Sequence, residues 1–413
     1  MAAKSFALHD APFWDESFYV RAARAVHATH FSLHAYLGGA IVRPPPVAYE
    51  LGLVQLASGS LVALRVAMCV LAAALVPCLP ELTDALGGSA RARVLGVLLL
   101  VASPLYFAQS SLVLSDMAVT VAVAWAWRAF LQRRLLAFAL CACVAVLCKE
   151  SGYALAVVAA VVLWRRHRAP WPALAPLVVL GAWLGARALA ASATDRHSIG
   201  FDHLDGALIH DLWEGGRFLL LPWAVVALRD RATDRVATAA LVLAFPLLFP
   251  TPLPRYMLPT LPLLCALAAV GLDTQRTLRA GLYVVVALAF GAATLRTPSW
   301  HTNGGHHLDC NLRYRRLLAL LVEAARRLAT QGPHAVLATF PIIDLISAPP
   351  PDGALVTPLA VVDAEGPTPC APAWLVSSST GNPAVANGTA TPWLRLTDAD
   401  FFVDVSRLSC DAK

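Results

Sequence analysis

Ten apolar runs follow one another between Leu61 and about residue 296, at about 61–80, 93–111, 115–132, 135–148, 151–164, 171–190, 216–229, 236–250, 256–272 and 280–296. Several approach the roughly 20 residues that an α-helix needs to cross a bilayer. In hydrocarbon a chain must satisfy its own backbone polar groups, so apolar runs of this length are expected as packed helices. Composition agrees: 14% of residues are charged and 58% hydrophobic, whereas a soluble domain carries about 25% charged residues. The sequence therefore predicts a multi-pass α-helical membrane protein. Its formal net charge of +6 calls for no nucleic-acid partner, because most arginines fall in short connections between runs.

Those connections set an orientation. Arg91 and Arg93, then Arg128, Arg133 and Arg134, then Arg165, Arg166 and Arg168, then Arg229, Arg231 and Arg235, then Arg276 and Arg279 occupy alternate connections. The excess of Lys and Arg in cytoplasmic loops places all five groups inside. Residues 1–60, the turns near Asp116 and Glu150, loop 191–215, the stretch around Arg255 and everything after 297 are then expected outside. No apolar segment or signal peptide precedes residues 1–60, although a segment placed outside needs one. A truncated start, or a lost first span, is the expectation that follows.

After the last run the composition turns to Pro, Gly, Thr and Asp, and residues 297–413 read as a small α/β domain. Arg313 to Ala329 is expected to form an amphipathic helix, with Leu317, Leu320, Leu321, Ala324 and Leu328 at helical spacing. Ala335–Ile343, Ala373–Ser377 and Phe401–Val405 have the character of strands. Cys310, Cys370 and Cys410 allow one disulfide and one free thiol, with the pairing open. Cys69, Cys78, Cys141, Cys143, Cys148 and Cys265 lie in apolar runs and read as small core residues.

Ionisable groups at membrane depth are costly enough to mark function, and two sets stand out. One is acidic: Asp15 and Glu16, within Phe13-Trp14-Asp15-Glu16-Ser17-Phe18-Tyr19, with Asp116 at the start of a later run. Capping is the structural use of an Asp at either place. The other set is cationic: Arg65, Lys149, Arg187, Arg217 and Arg255 map near the outer ends of runs. Snorkelling to the headgroups explains any one of them. Five at one depth, opposite carboxylates, suit an anion site, and the planar guanidinium of Arg255 matches phosphate oxygens bidentately.

Five stretches carry a family resemblance. Trp14-Asp15-Glu16-Ser17-Phe18-Tyr19 with Ala22-Ala23 resembles the first outer loop of GT-C glycosyltransferases, and of the family 39-like enzymes in particular, the protein O-mannosyltransferases and the lipid A aminoarabinose transferase. Arg43-Pro44-Pro45-Pro46-Val47-Ala48-Tyr49 resembles their His-Pro-Pro-Leu element, with Arg43 and Pro44 in place of the histidine. Ser115-Asp116-Met117 is similar to a second acidic position between spans. Leu147-Cys148-Lys149-Glu150-Ser151 resembles a Thr/Ser-Lys-Glu/Gly turn, and Pro254-Arg255-Tyr256-Met257-Leu258-Pro259 an Arg-Tyr-x-x-Pro element. The resemblance covers about 1–296, in order and on one expected side.

It implies an inverting transfer of a sugar from a polyprenyl-phosphate donor to an acceptor that is a protein, lipid or polysaccharide. The acceptor hydroxyl must lose a proton as it attacks, which calls for a carboxylate base. The leaving phosphate gains charge, which calls for waiting cations. The resemblance gives Asp15 the base role and Glu16 the positioning of the acceptor or of a divalent metal cation. For Asp116, support of the base, orientation of the acceptor and help in holding a divalent cation stay open. Arg255, Lys149 and Tyr256 fall in the elements that would bind the donor phosphate. The site is expected in an outward-facing cavity of the plasma membrane or its luminal equivalent, with Asp15 within about 10–12 Å of Arg255, the carboxyl spacing of inverting glycosidases widened for a phosphate.

Other features carry less. His27, His30 and His34 can share one helix face but lack a matched carboxylate or cysteine, so no metal site is assigned there. His301, His306 and His307 sit in a Gly-containing linker, and Asn387-Gly388-Thr389 is a glycosylation sequon. The sequence has neither a phosphate-binding Gly-Lys-Ser loop nor a dinucleotide fingerprint. Two rival readings stand beside the enzyme: a secondary transporter or lipid flippase, expected to show repeated halves, and a catalytically dead relative that still binds carrier lipid.

Overall fold

The computed structural model of the chain describes residues 8, 10, 15–37, 45–190, 214–230, 232–248, 254–274, 285, 288–289, 314–331, 335–338, 342, 361–363, 373–378, 389–398 and 401–409. The helices are α1 (Glu16–Ala28), α2 (Leu33–Leu37), α3 (Pro45–Ala57), α4 (Leu61–Ala73), α5 (Leu75–Ala85), α6 (Ala90–Ala102), α7 (Pro104–Gln109), α8 (Ser115–Leu131), α9 (Leu135–Cys148), α10 (Tyr153–Arg165), α11 (Trp171–Ala190), α12 (Leu221–Ala227), α13 (Thr233–Leu248), α14 (Leu261–Asp273) and α15 (Tyr314–Ala329). Short 3-10 turns at Glu150–Gly152, Glu214–Leu219 and Pro254–Thr260 lead into α10, α12 and α14.

Three helical stretches among the described residues are long and apolar enough to cross a membrane: Leu61–Ala85, Trp171–Leu189 and Arg255–Asp273. The first runs on past residue 80, through Pro80. The expected run 93–111 is instead cut in two. Ser103 is extended (φ −65°, ψ 124°) ahead of Pro104, because proline disfavours the helical conformation in the residue before it. The tenth expected run, 280–296, lies almost wholly outside the described residues.

The core is built around α8 and α14. Small residues let neighbouring backbones close on α8, which is buried along nearly all its length. Trp127 anchors it, stacked on Phe130 at 4.8 Å between centroids and donating from Nε1 to Thr238 Oγ1 at 2.9 Å. In α14 every residue from Leu261 to Leu272 is buried. Its Gly271 runs so close to α12 that a Cβ there would stand 1.9 Å from the Trp223 carbonyl oxygen. Large apolar side chains stand on the outer surface of the bundle: Trp164 is 75% exposed and Val178 71%.

The arginine-rich connections gather at one end of the bundle. Asp234 accepts from both Arg133 and Arg166, Arg235 reaches Asp230 and the Leu86 carbonyl, and Arg128 pairs with Glu81. Arg276 and Arg279 lie outside the described residues. At the opposite end stand the starts of α1, α4, α8, α10 and α14, and with them the residues of the candidate site.

The C-terminal part is a five-stranded mixed sheet in the order β2-β1-β3-β5-β4, formed by β1 (Ala335–Ala338), β2 (Val361–Asp363), β3 (Ala373–Ser378), β4 (Thr389–Asp398) and β5 (Phe401–Ser409). β1 is parallel to β2 and β3, while β5 is antiparallel to β3 and β4. The apolar stripe of α15 is buried, and the helix packs on β4 and β5. β2 and β4 go beyond the sequence expectation. β4 tolerates Pro392 because the register shifts between Pro392 and Leu394, an irregularity of the kind that admits proline in strands.

Candidate active site

Asp15 immediately precedes α1 and is itself helical (φ −67°, ψ −5°), so it cannot cap in the usual extended way, and its side chain makes no capping hydrogen bond. Its Oδ2 accepts instead from Arg255 Nη2 at 2.8 Å. Arg255 belongs to the Pro254–Thr260 turn that feeds α14. Its side chain is 5% exposed and that of Asp15 26%, so the pair lies at the edge of the packed interior. The two residues are in direct contact, well inside the expected 10–12 Å.

A second pair stands beside the first. The hairpin of α8 and α9 brings the start of one helix to the end of the other, and Lys149 Nζ donates to Asp116 Oδ1 at 2.6 Å. Lys149 is extended (φ −158°, ψ 135°) between α9 and the Glu150–Gly152 turn. Asp116 lies in the first turn of α8, whose cap position is occupied by Leu114. Burial, the largest influence, works to lower the Lys149 pKa, but the Asp116 carboxylate, together with Tyr256 and Tyr19 beside it, holds the ammonium above its ordinary value. Lys149 therefore stays charged throughout the neutral range.

Tyr256 joins the two pairs. The Lys149 Nζ stands 3.8 Å from its ring centroid and the Arg255 guanidinium carbon 5.6 Å, a cation–π geometry for both. Tyr19 adds a neutral contact: its hydroxyl lies 2.6 Å from Ser115 Oγ, next to Asp116. It falls four residues after Asp15, hence on the same helix face, and that spacing was the signal that could have singled it out.

Glu16 has another environment. Its Oε1 accepts from Arg65 Nε at 3.1 Å and from the Val113 amide at 2.9 Å, and its Oε2 from Arg65 Nη2 at 2.6 Å. Glu16 is fully buried and Arg65 nearly so. The geometry makes Glu16 a clamp between α1, α4 and the approach to α8, and Arg65 its counter-charge, rather than groups presented to an acceptor, a metal or a phosphate. Among the other cations, Arg187 approaches Glu150 at 3.8 Å and Arg217 is buried in the turn before α12.

His27 and His34 belong to different helices, α1 and α2, separated by a turn in which His30 and Phe31 have positive φ. They do not share a helix face. Among the described residues no three His, Cys, Asp or Glu side chains converge as a metal site. His301, His306, His307, Cys310, Cys370 and Cys410 lie outside the described residues. A groove of about 430 Å³ bounded by Pro80, Arg93, Val97 and Leu98 lies at the arginine-rich end and touches none of the paired residues.

The turn carrying Lys149 depends on Gly152, where a Cβ would come within 2.7 Å of the Ala145 carbonyl carbon and the Val146 nitrogen. Gly152→Ala should therefore push the turn off α9 and destabilise the protein by about 1–3 kcal/mol. Gly181→Ala, in an open stretch of α11, should not destabilise it. Thermal unfolding of the two variants checks this, and equal melting would count against the tight turn.

No family model matches the chain, and no curated protein matches it. Among solved structures the chain is similar to ArnT from Cupriavidus metallidurans in two states. The apo structure shares 18% identity, covers 80% of this chain and 71% of that one, and gives a TM-score of 0.56. The structure bound to undecaprenyl phosphate shares 18% identity over 79% of this chain and 69% of that one, with a TM-score of 0.54. The resemblance first carried by five short motifs thus extends to the fold, a multi-pass helical bundle with a small α/β module at its C-terminal end.

Proposed function

We propose that the protein is an inverting glycosyltransferase that uses a polyprenyl-phosphate-linked sugar and acts at the extracytoplasmic face of the plasma membrane. One observation carries this reading. Four segments remote in sequence bring a carboxylate and a cation together twice, and the Tyr256 ring touches both cations. Clustered cations beside a partly exposed carboxylate supply what the chemistry requires. The likeness of fold to a structure holding undecaprenyl phosphate supports a carrier of that chemical class. The gathering of arginines at the opposite end supports the sidedness.

In this reading the donor phosphate binds at Arg255 and Lys149, with its tail in hydrocarbon. As the phosphate takes the Arg255 guanidinium, Asp15 is released from its ion pair. The acceptor hydroxyl attacks the anomeric carbon and gives its proton to Asp15. The bond from that carbon to the phosphate oxygen breaks, and the electron pair leaves on the phosphate, where the cations compensate the new charge. Lys149 is held by Asp116 and steadied on the Tyr256 ring.

The test is to incubate the purified protein with a panel of polyprenyl-phosphate sugars and membrane extracts as the acceptor source. Release of free polyprenyl phosphate is expected with one of the sugars. Movement of intact donor across a vesicle bilayer without release would establish the flippase instead. Arg255→Ala should weaken binding of undecaprenyl phosphate by about 10-fold or more, the loss expected of a charge-assisted hydrogen bond worth about 1.5–3 kcal/mol. Unchanged binding would remove Arg255 from the phosphate site.

A further inference from the structure

We propose that the C-terminal α/β module is a working part of the site, with Arg315 and Tyr314 as positioning residues for Asp15. This inference rests on the base role proposed for Asp15. Both residues open α15, the helix that covers the sheet. Arg315 clamps Asp10 with two donors, Nε to Oδ2 and Nη2 to Oδ1, the latter at 2.9 Å. The Asp10 carbonyl accepts from Arg65 Nη1 at 2.7 Å, and the Leu8 carbonyl accepts from the same nitrogen at 3.2 Å. The remaining donors of Arg65 hold Glu16, the residue next to Asp15.

A line of charge-assisted contacts thus runs from the module to the start of α1: Arg315, Asp10, Arg65, Glu16. The charges alternate and cancel, two positive and two negative. Tyr314 seals the line. It is 1% exposed, and burial, reinforced by the neighbouring Glu16 carboxylate, pushes its phenol well above the ordinary range and keeps it neutral. At the far end Glu16 fastens to the Val113 amide, just before the helix that carries Asp116.

The start of α1 has two further ties. The Asp15 carbonyl accepts from the Phe18 and Tyr19 amides, and the Tyr19 hydroxyl meets Ser115. Without Arg315 the Asp10 side chain loses its clamp to the module, and the segment ahead of α1 is held by Arg65 alone. Asp15 then keeps Arg255 and the ties of α1, but the helix start is no longer braced from the module side. A displacement of about 1 Å in a reacting group lowers turnover about 100-fold.

The experiment compares Arg315→Ala, Arg315→Lys, the exchange Asp10→Arg with Arg315→Asp, and Asp15→Asn in the full chain. Arg316→Ala serves as control, because Arg316 lies on the same helix, exposed, and approaches Asp398 at 3.8 Å within the module. Three quantities are read: donor turnover, binding of undecaprenyl phosphate, and amide hydrogen exchange of residues 15–20. Arg315→Ala should lower turnover about 10- to 100-fold and speed exchange in 15–20, with undecaprenyl phosphate affinity within about twofold. Arg315→Lys and the charge exchange should restore part of the turnover, and Arg316→Ala should match the parent.

Full turnover in Arg315→Ala alongside inactive Asp15→Asn would overturn the inference and leave the proposed function standing. Active Asp15→Asn would overturn the proposed base itself. Equal losses of turnover, phosphate binding and melting temperature in Arg315→Ala, with no recovery in the exchange, would make the contact merely structural and also overturn it.

Discussion

With Asp15 as the proposed base, Asp15→Asn should stop sugar transfer while the protein stays folded and still binds undecaprenyl phosphate. Asparagine keeps the shape of the side chain and an oxygen that can accept from Arg255, so the 2.8 Å contact survives in weaker form. What disappears is basicity. A positioned general base contributes about 10²- to 10⁴-fold, and turnover should fall by that amount. The same substitution removes a competitor for the guanidinium, so undecaprenyl phosphate should bind at least as tightly as to the parent. Lost turnover with unchanged or tighter phosphate binding is a signature that a damaged fold would not give. Retained turnover would refute the assignment, and loss of both would point to a structural role.

Arg65→Met should be among the most destabilising single changes in the described residues. Methionine fills much of the volume but leaves the Glu16 carboxylate buried without its counter-charge, and the Leu8 and Asp10 carbonyls without their donor. Breaking one side of a buried ion pair costs about 3–5 kcal/mol. Adding Glu16→Met should recover part of this, because an apolar pair of similar volume replaces a buried ion pair at little or no loss. The recovery will be incomplete, since the Val113 amide then lacks its acceptor. Unfolding measured on the two single variants and the double variant checks the coupling. A double variant as unstable as the sum of the singles would show that the two residues do not act as a pair.

The helical architecture was legible because period and length suffice to recognise apolar helices. The position of Asp116 and Lys149 at one end followed from counting connections; their contact, made across the α8–α9 hairpin, did not. The partners of the arginines were not legible. Arg65 and Arg255 look alike in sequence, each near the end of an apolar run, yet one is locked to Glu16 and the other meets Asp15. Which acid an arginine meets depends on helix rotation and crossing, which periodicity alone does not fix. Asp10 and Arg315 lie 305 positions apart in the chain, and neither sits in a recognisable motif. In the module, β4 was hidden because Pro392 breaks the strand pattern and only a shift of register admits it.

The helices that begin at the site end give that end an electrical character beyond its side chains. Asp15 precedes α1, Asp116 lies in the first turn of α8, and the turns bearing Lys149 and Arg255 feed α10 and α14. The aligned peptide dipoles of each helix leave a partial positive charge at its start, worth about 0.3–1 kcal/mol to a nearby anion. Several such ends facing one region add up where water is scarce and screening weak. An arriving phosphate would meet an attractive field set by the backbone, which persists whichever way the long cationic side chains turn.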